Sequence, residues 1–304
     1  MKAGIAALGL ALAASAFADT RCPPPPAPPS TAPAQASPAE ARDRGLLWRI
    51  RKDGRDSWLF GTLHVGRPEW SVPGPVLRQA LAGSDVLALE IDPADPALAV
   101  QLREAVRRAP EADPALRQRL QRQAAEACLP DTALQGLPPL LQLITLTLLQ
   151  ARHDALDAAF GQELMLAAAA RAAGLRVVAL ESVAQQIELL LPADAGLLDA
   201  ALEQLETGRS RALMRRLAQA WADGDLATLQ RYEQWCECAD TEAQRAWLHR
   251  LNDARNAPLA AGIDALHGVG HKVFAAVGAL HMTGPQALPQ LLQERGFTVQ
   301  RVPF

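Results

Sequence analysis

The chain has 304 residues, 49% of them hydrophobic and 21% charged, with a formal net charge of −3. This is enough chain for one large domain with a well-buried core. The small net charge, spread without long single-sign runs, favours neither nucleic acid nor an anionic membrane as partner.

Residues 1–18 read as a secretory signal, with Lys2 as the charged region, Ile5 to Ala14 as the apolar region, and Ala16-Phe17-Ala18 as an A-x-A cleavage site before Asp19. Cleavage near Ala18 predicts a periplasmic or secreted protein, and loss of Lys2 moves the charge from −3 to −4. Cys22 is not expected to carry a lipid, because Asp19-Thr20-Arg21 lacks the small apolar character of such a site. Residues 23–38 hold eight prolines among Ala, Ser and Thr. This composition stays extended as polyproline II, so residues 19–44 are expected to be a tether outside the folded domain.

The domain is expected to span 45–304. Leu46 to Arg51 and Ser57 to Gly61 are β-prone runs flanking Asp53-Gly54, a dipeptide that predicts a hairpin. Pro73, Pro75, Val76, Leu77 and Leu81 predict a short helix closed by Gly83. Asp85 to Leu89 then reads as a buried strand ending in Glu90. From about 96 to 262 the sequence is rich in Ala, Leu, Arg, Gln and Glu with apolar residues at helical spacing. Leu140 to Leu149, its most apolar piece, is too short to cross a bilayer, so no span is expected in the mature chain. One strand interrupts this region: Leu175 to Leu180, ending at Glu181, follows a helix over Asp157 to Ala173 and the C-capping Gly174. After it come a strand running into His281, a helix from Pro285 to Arg295, and a last strand from Phe297 to Val302. The predicted fold class is α/β: a mixed β-sheet with an N-terminal β-hairpin and a large α-helical insertion.

Four cysteines in an exported chain point to disulfides. Cys22 lies in the tether, and Cys236 and Cys238 are two residues apart, too close to be natural partners. The expectation is therefore a bridge from Cys128 to Cys236 or Cys238. The alternative, a Cys-x-Cys metal site, lacks a second cysteine pair to complete the usual zinc pattern.

Two strand ends share one grammar. Leu59-Phe60-Gly61-Thr62-Leu63-His64 and Val277-Gly278-Ala279-Leu280-His281 each run from apolar residues into Gly-x-x-His. Chance alone gives roughly 0.4 such matches at this composition and the chain has three, but one of them is not at a strand end, so the bare pattern is weak. The third, Gly268 to His271, precedes its strand. Strand-end placement selects His64 and His281, because open α/β sheets keep their ligands at the carboxyl edge. Glu90 and Glu181 end two further apolar runs in the same way. Nucleophile elbows, H-E-x-x-H, Walker loops and dinucleotide fingerprints are all missing. Imidazoles with carboxylates suit a divalent metal such as Zn, Mn or Co, or an acid/base pair without metal. The competing readings are satisfied core histidines for His64 and His281, a helix cap for Glu181, an N-cap for Asp157, and sheet anchors for Arg255 and Asn256. His153, His249, His267 and His271 lack strand-end placement and read as non-catalytic.

The ordered patches Gly61-Thr62-Leu63-His64, Leu89-Glu90, Asp157 with Gly161 and Glu163, Leu180-Glu181-Ser182 with Gln185, Arg255-Asn256 and Gly278-Ala279-Leu280-His281 with Gly284 resemble the TraB/GumN family. The likeness covers nearly all of Leu46 to Val302. That family is similar to the TIKI metalloproteases and, more distantly, to erythromycin-esterase-like hydrolases and the haem-binding ChaN fold. The resemblance implies a site of His64, His281 and Glu90, with Asp157, Glu181, Arg255 and Asn256 in support.

Three functions fit this reading. One is a metal-dependent hydrolase acting on a peptide or other amide or ester bond of a peptide or small-molecule substrate. The second is a haem- or metal-binding protein without turnover. The third is an inactive scaffold for envelope or polysaccharide assembly. Oligomeric state is not legible in the sequence.

Overall fold

A computed structural model describes residues 22–26, 41–108, 112–190 and 194–304. The signal segment and most of the tether lie outside the described residues. Within them, six strands form one sheet: β1 (Leu46–Lys52), β2 (Arg55–Thr62), β3 (Val86–Leu89), β4 (Arg176–Ala179), β5 (Val273–Gly278) and β6 (Thr298–Val302), in the order β4-β3-β5-β2-β1-β6. The fold is mixed α/β, as the sequence predicts.

β1 and β2 pair antiparallel across Asp53-Gly54. Both turn residues take positive φ, 52° and 74°, which is what a tight turn matched to the strand twist needs. β6 closes the far side antiparallel to β1, while β2, β5, β3 and β4 run parallel. β3 and β5 are buried along nearly their whole length, as expected of central parallel strands covered by helices on both faces.

Helices fill the stretch between β3 and β5 on either side of β4. The helix Arg209–Ala222 reaches back to the sheet: the buried Trp221 packs edge-on against Phe60 and donates its indole N–H to the Gly61 carbonyl at 2.7 Å. A second, smaller core of Leu120, Leu134, Leu143, Leu146, Leu202 and Leu205 sits within the helical insertion. No helix among the described residues is long and apolar enough to cross a membrane.

Several boundaries differ from expectation. The helix predicted over Asp157 to Ala173 is a 3-10 turn, Ala158–Phe160, followed by a helix, Gln162–Ala172. Gly161 breaks it by taking φ −58°, ψ 140°, and a side chain there would meet the His64 carbonyl at 2.7 Å. The helix predicted over Pro285 to Arg295 is shorter, Leu288–Glu294.

The expected bridge from Cys128 to Cys236 or Cys238 does not form. Cys128 pairs with Cys22, and Cys236 pairs with Cys238. The short bridge closes because Glu237 takes a left-handed φ of 52°, which curls the chain back on itself and brings the two Cα atoms to 5.1 Å. Cys22, in turn, is fixed to the residues following the helix Pro114–Glu126 instead of hanging free in the tether.

Candidate functional site

Parallel pairing puts the ends of β2, β5, β3 and β4 on one edge of the sheet. Thr62 is in register with Gly278, so the two Gly-x-x-His segments leave the sheet side by side. His64 follows β2 by two residues, and His281 lies on a 3-10 turn, Ala279–Met282, just beyond β5. Past the named ends of β3 and β4 the ladder continues, with Leu180 N–H donating to the Leu89 carbonyl and Glu181 N–H to that of Glu90. This sets Glu90 and Glu181 next to each other.

Arg255, on the helix Asp253–Gly268, lies between these carboxylates. Its Nε donates to Glu181 Oε1 at 2.9 Å, one terminal nitrogen donates to both Glu90 Oε2 and Glu181 Oε2, and the other donates to the Leu251 carbonyl. Gln186 bridges the same two oxygens, at 3.1 Å from Glu90 and 3.0 Å from Glu181. All three charged groups are largely buried. Burial works against the Arg255 charge, but Glu181 and Glu90 hold the guanidinium protonated more firmly than usual. Glu181 is not the cap of the following helix; Ser182 fills that role, exchanging hydrogen bonds with Gln185.

Glu90 turns its other oxygen elsewhere. Oε1 accepts the Gly278 N–H at 2.7 Å and lies 3.6 Å from His281 Nε2. Burial would raise the pKa of Glu90; His281, Arg255, His64 and the Gly278 N–H together hold it down to about 2. His281 is itself buried, and burial lowers its pKa, so its ring is neutral at pH 7 and Arg255 is the lasting positive charge beside Glu90.

The hydrogen bonds also fix the His281 tautomer. Asn256 donates Nδ2–H to the Gln286 carbonyl at 2.8 Å, which leaves Oδ1 to accept from His281 Nδ1 at 2.6 Å. Nδ1 therefore carries the proton, and the Nε2 lone pair faces Glu90.

His64 is anchored at the same atom by a different group. Its Nδ1 lies 3.0 Å from Glu163 Oε1, which also accepts the Thr62 hydroxyl proton. The Gln162 N–H donates to the Leu63 carbonyl, docking the start of the helix Gln162–Ala172 beneath the loop and bringing Glu163 to the ring. Burial opposes the charge on Glu163, but His64 and Thr62 outweigh it and its pKa falls. The Glu163 carboxylate raises the pKa of His64, to about 9. The ring is 74% exposed, so water screens much of the attraction and little stability rests on it.

Five of the predicted residues thus meet directly: Glu90, Glu181, Arg255, Asn256 and His281. His64 stands beside them, coupled to Glu90 and Arg255 through charge. Asp157 does not join. Its carboxylate accepts the Ala159 N–H at 2.9 Å and pairs with Arg152 at 3.0 Å, and its backbone bridges Gly66, so it holds the loop after His64 in place. One member, Gln186, was not singled out from the sequence, and Glu163 entered only as part of a patch resembling the family, without a role of its own. Glu163 offered a weak signal as an acid in the first turn of a helix, whereas Gln186 offered none. His267, read as non-catalytic, is a satisfied core histidine bonded to Ser57 and the Lys52 carbonyl.

The donor chemistry fits a divalent cation. Both histidines are held at Nδ1 by an acceptor, the outer support that metal-ligating imidazoles have, which frees Nε2. Donors each about 2.1 Å from one ion stand roughly 3.0–3.5 Å apart, close to the His281–Glu90 separation. Among the described residues no three His, Cys, Asp or Glu side chains stand close enough together to hold an ion. His64 would have to close on the other two to supply the third donor.

A model of the TraB/PrgY/gumN family matches residues 46–301. No curated protein and no solved structure matches the chain.

Proposed function

Since the chain belongs to the TraB/PrgY/gumN family, we propose that it is an exported, metal-dependent hydrolase of a peptide or other amide or ester bond, with His64, His281 and Glu90 as the donors for a divalent ion. The observation that carries the proposal is the pairing of His281 Nε2 with Glu90 Oε1 at 3.6 Å, each group anchored through its other polar atoms. The likeness of the family to metalloproteases supports the reaction class, and the N-terminal signal segment and two disulfides support export.

When bound, a divalent ion supplies a Lewis acid that polarises a carbonyl and makes water more acidic. The residues of the chain do the rest. Arg255 and Gln186 lock the Glu90 carboxylate so that Oε1 points at His281. Asn256 keeps the His281 Nε2 lone pair free. Glu163 fixes the His64 ring at Nδ1 and stabilises its imidazolium form, whose Nε2 proton must leave before Nε2 can act as a donor, so ion affinity should rise with pH. Glu181, with both oxygens taken by Arg255 and one also by Gln186, serves as the counter-charge that keeps Arg255 in place.

A second reading is favoured by the His64–Glu163 pair alone: an exposed imidazole backed by a carboxylate is a general acid/base without metal. Metal analysis after gentle purification, with hydrolysis of a peptide and ester library before and after chelation, separates the readings. Bound divalent metal and activity lost on chelation are expected. Activity untouched by chelation overturns the metal role in favour of the second reading, and bound metal without hydrolysis makes the protein a binding protein.

A further inference from the structure

We propose that Cys236–Cys238 is a thiol–disulfide exchange site that accepts two electrons from a dithiol. The bridge adds little to fold stability. The entropy that a disulfide removes from the unfolded chain grows with the loop it closes, and this one spans a sequence separation of 2 against 106 for Cys22–Cys128. It also holds Glu237, a residue with a side chain, in the left-handed region at φ 52°, a conformation that costs most non-glycine residues energy.

The two sulfurs are unequal. Cys236 is buried at 1% exposure, whereas Cys238 is only half-buried, which makes it the more accessible residue to an incoming thiolate. The Cys238 backbone N–H lies 3.1 Å from Cys236 Sγ, placed to stabilise that sulfur as it departs with negative charge. A partner thiolate attacks Cys238 Sγ, forming a mixed disulfide and releasing Cys236 as thiolate. The second thiol of the partner, once deprotonated, attacks its own sulfur in the mixed disulfide and releases Cys238 as thiolate. The partner leaves oxidised to a disulfide, and two electrons have passed to the Cys236/Cys238 pair. Opening frees Glu237 from its left-handed state and loosens a loop held by Gln204, which donates to the Glu237 carbonyl at 2.7 Å, and by Arg209, 3.0 Å from the Glu237 carboxylate.

The test uses the full chain equilibrated in glutathione redox buffers, trapped by alkylation and mapped by mass spectrometry. Cys236–Cys238 should be half-reduced in a buffer about tenfold less reducing than the one that opens Cys22–Cys128. Joint opening, or earlier opening of Cys22–Cys128, overturns the proposal. In the presence of oxidised glutathione, Cys236→Ser should take up glutathione on Cys238 at least about tenfold faster than Cys238→Ser does on Cys236, following access to the thiol; equal or reversed rates also overturn it. Glu237→Gly removes the backbone strain and should make the bridge about fivefold harder to reduce. Unchanged or easier reduction of that variant counts against the proposal, and the wild-type titration stands whether or not a variant folds.

Discussion

Glu90 Oε1 and Gly278 N are joined by a hydrogen bond of 2.7 Å that links the end of β3 to the end of β5, and a side chain at Gly278 would crowd that carboxylate. A Cβ there would lie 3.3 Å from Glu90 Oε1 and 3.5 Å from the His281 ring. Gly278→Ala is expected to push Glu90 off its position, costing about 1–3 kcal/mol of stability as an overpacked site does. Denaturant unfolding measures the loss. A variant as stable as wild type would mean that Glu90 and His281 yield freely.

Removing Arg255 should be more damaging. Arg255→Met leaves Glu90 and Glu181 buried beside each other without their cation, and breaking such a pair costs about 3–5 kcal/mol. Because protonation relieves an unpaired carboxylate, the deficit relative to wild type should shrink as pH falls toward 4. Parallel unfolding curves at pH 7 and pH 4 give the comparison, and a deficit independent of pH would contradict this account.

Glu90 also sets a pH window for the wild-type fold. Its pKa is depressed from 4.5 to about 2 on folding, so its ionised form contributes stability that is fully present above 4.5 and is lost as pH falls through about 2. The contribution is on the order of 3 kcal/mol, and in Glu90→Gln the slope of stability against pH between 4.5 and 2 should flatten. Chemical denaturation across that window tests the slope.

His64 titrates in the opposite sense. Its pKa is raised on folding, so its small contribution is present below 6.5 and is lost as pH rises through about 9. Glu163 is the main cause. In Glu163→Gln the NMR-monitored titration of the His64 ring should move down by at least one unit. An unmoved midpoint would show that the Glu163 contact does not persist in solution.

Much of this protein was written in local sequence. Asp53-Gly54 sets the hairpin because it tolerates positive φ at both positions, and apolar runs ending in Glu90, Glu181 and Gly-x-x-His mark strand ends because the apolar stretch stops where the chain leaves the sheet. The ordered patches along the chain were enough to place the family. Tertiary structure decided which of these strand ends meet. Strands far apart in sequence become neighbours only through the crossover helices, so no spacing rule could say that Arg255 would lie between Glu90 and Glu181, or that Gln186 would bridge them. Asp157 looked like a site residue, but its N-cap geometry and Arg152 claim it for the loop. The cysteine pairing was illegible for the same reason: it depended on a left-handed turn at Glu237 and on where residue 22 docks, and both are fixed by the folded chain around them.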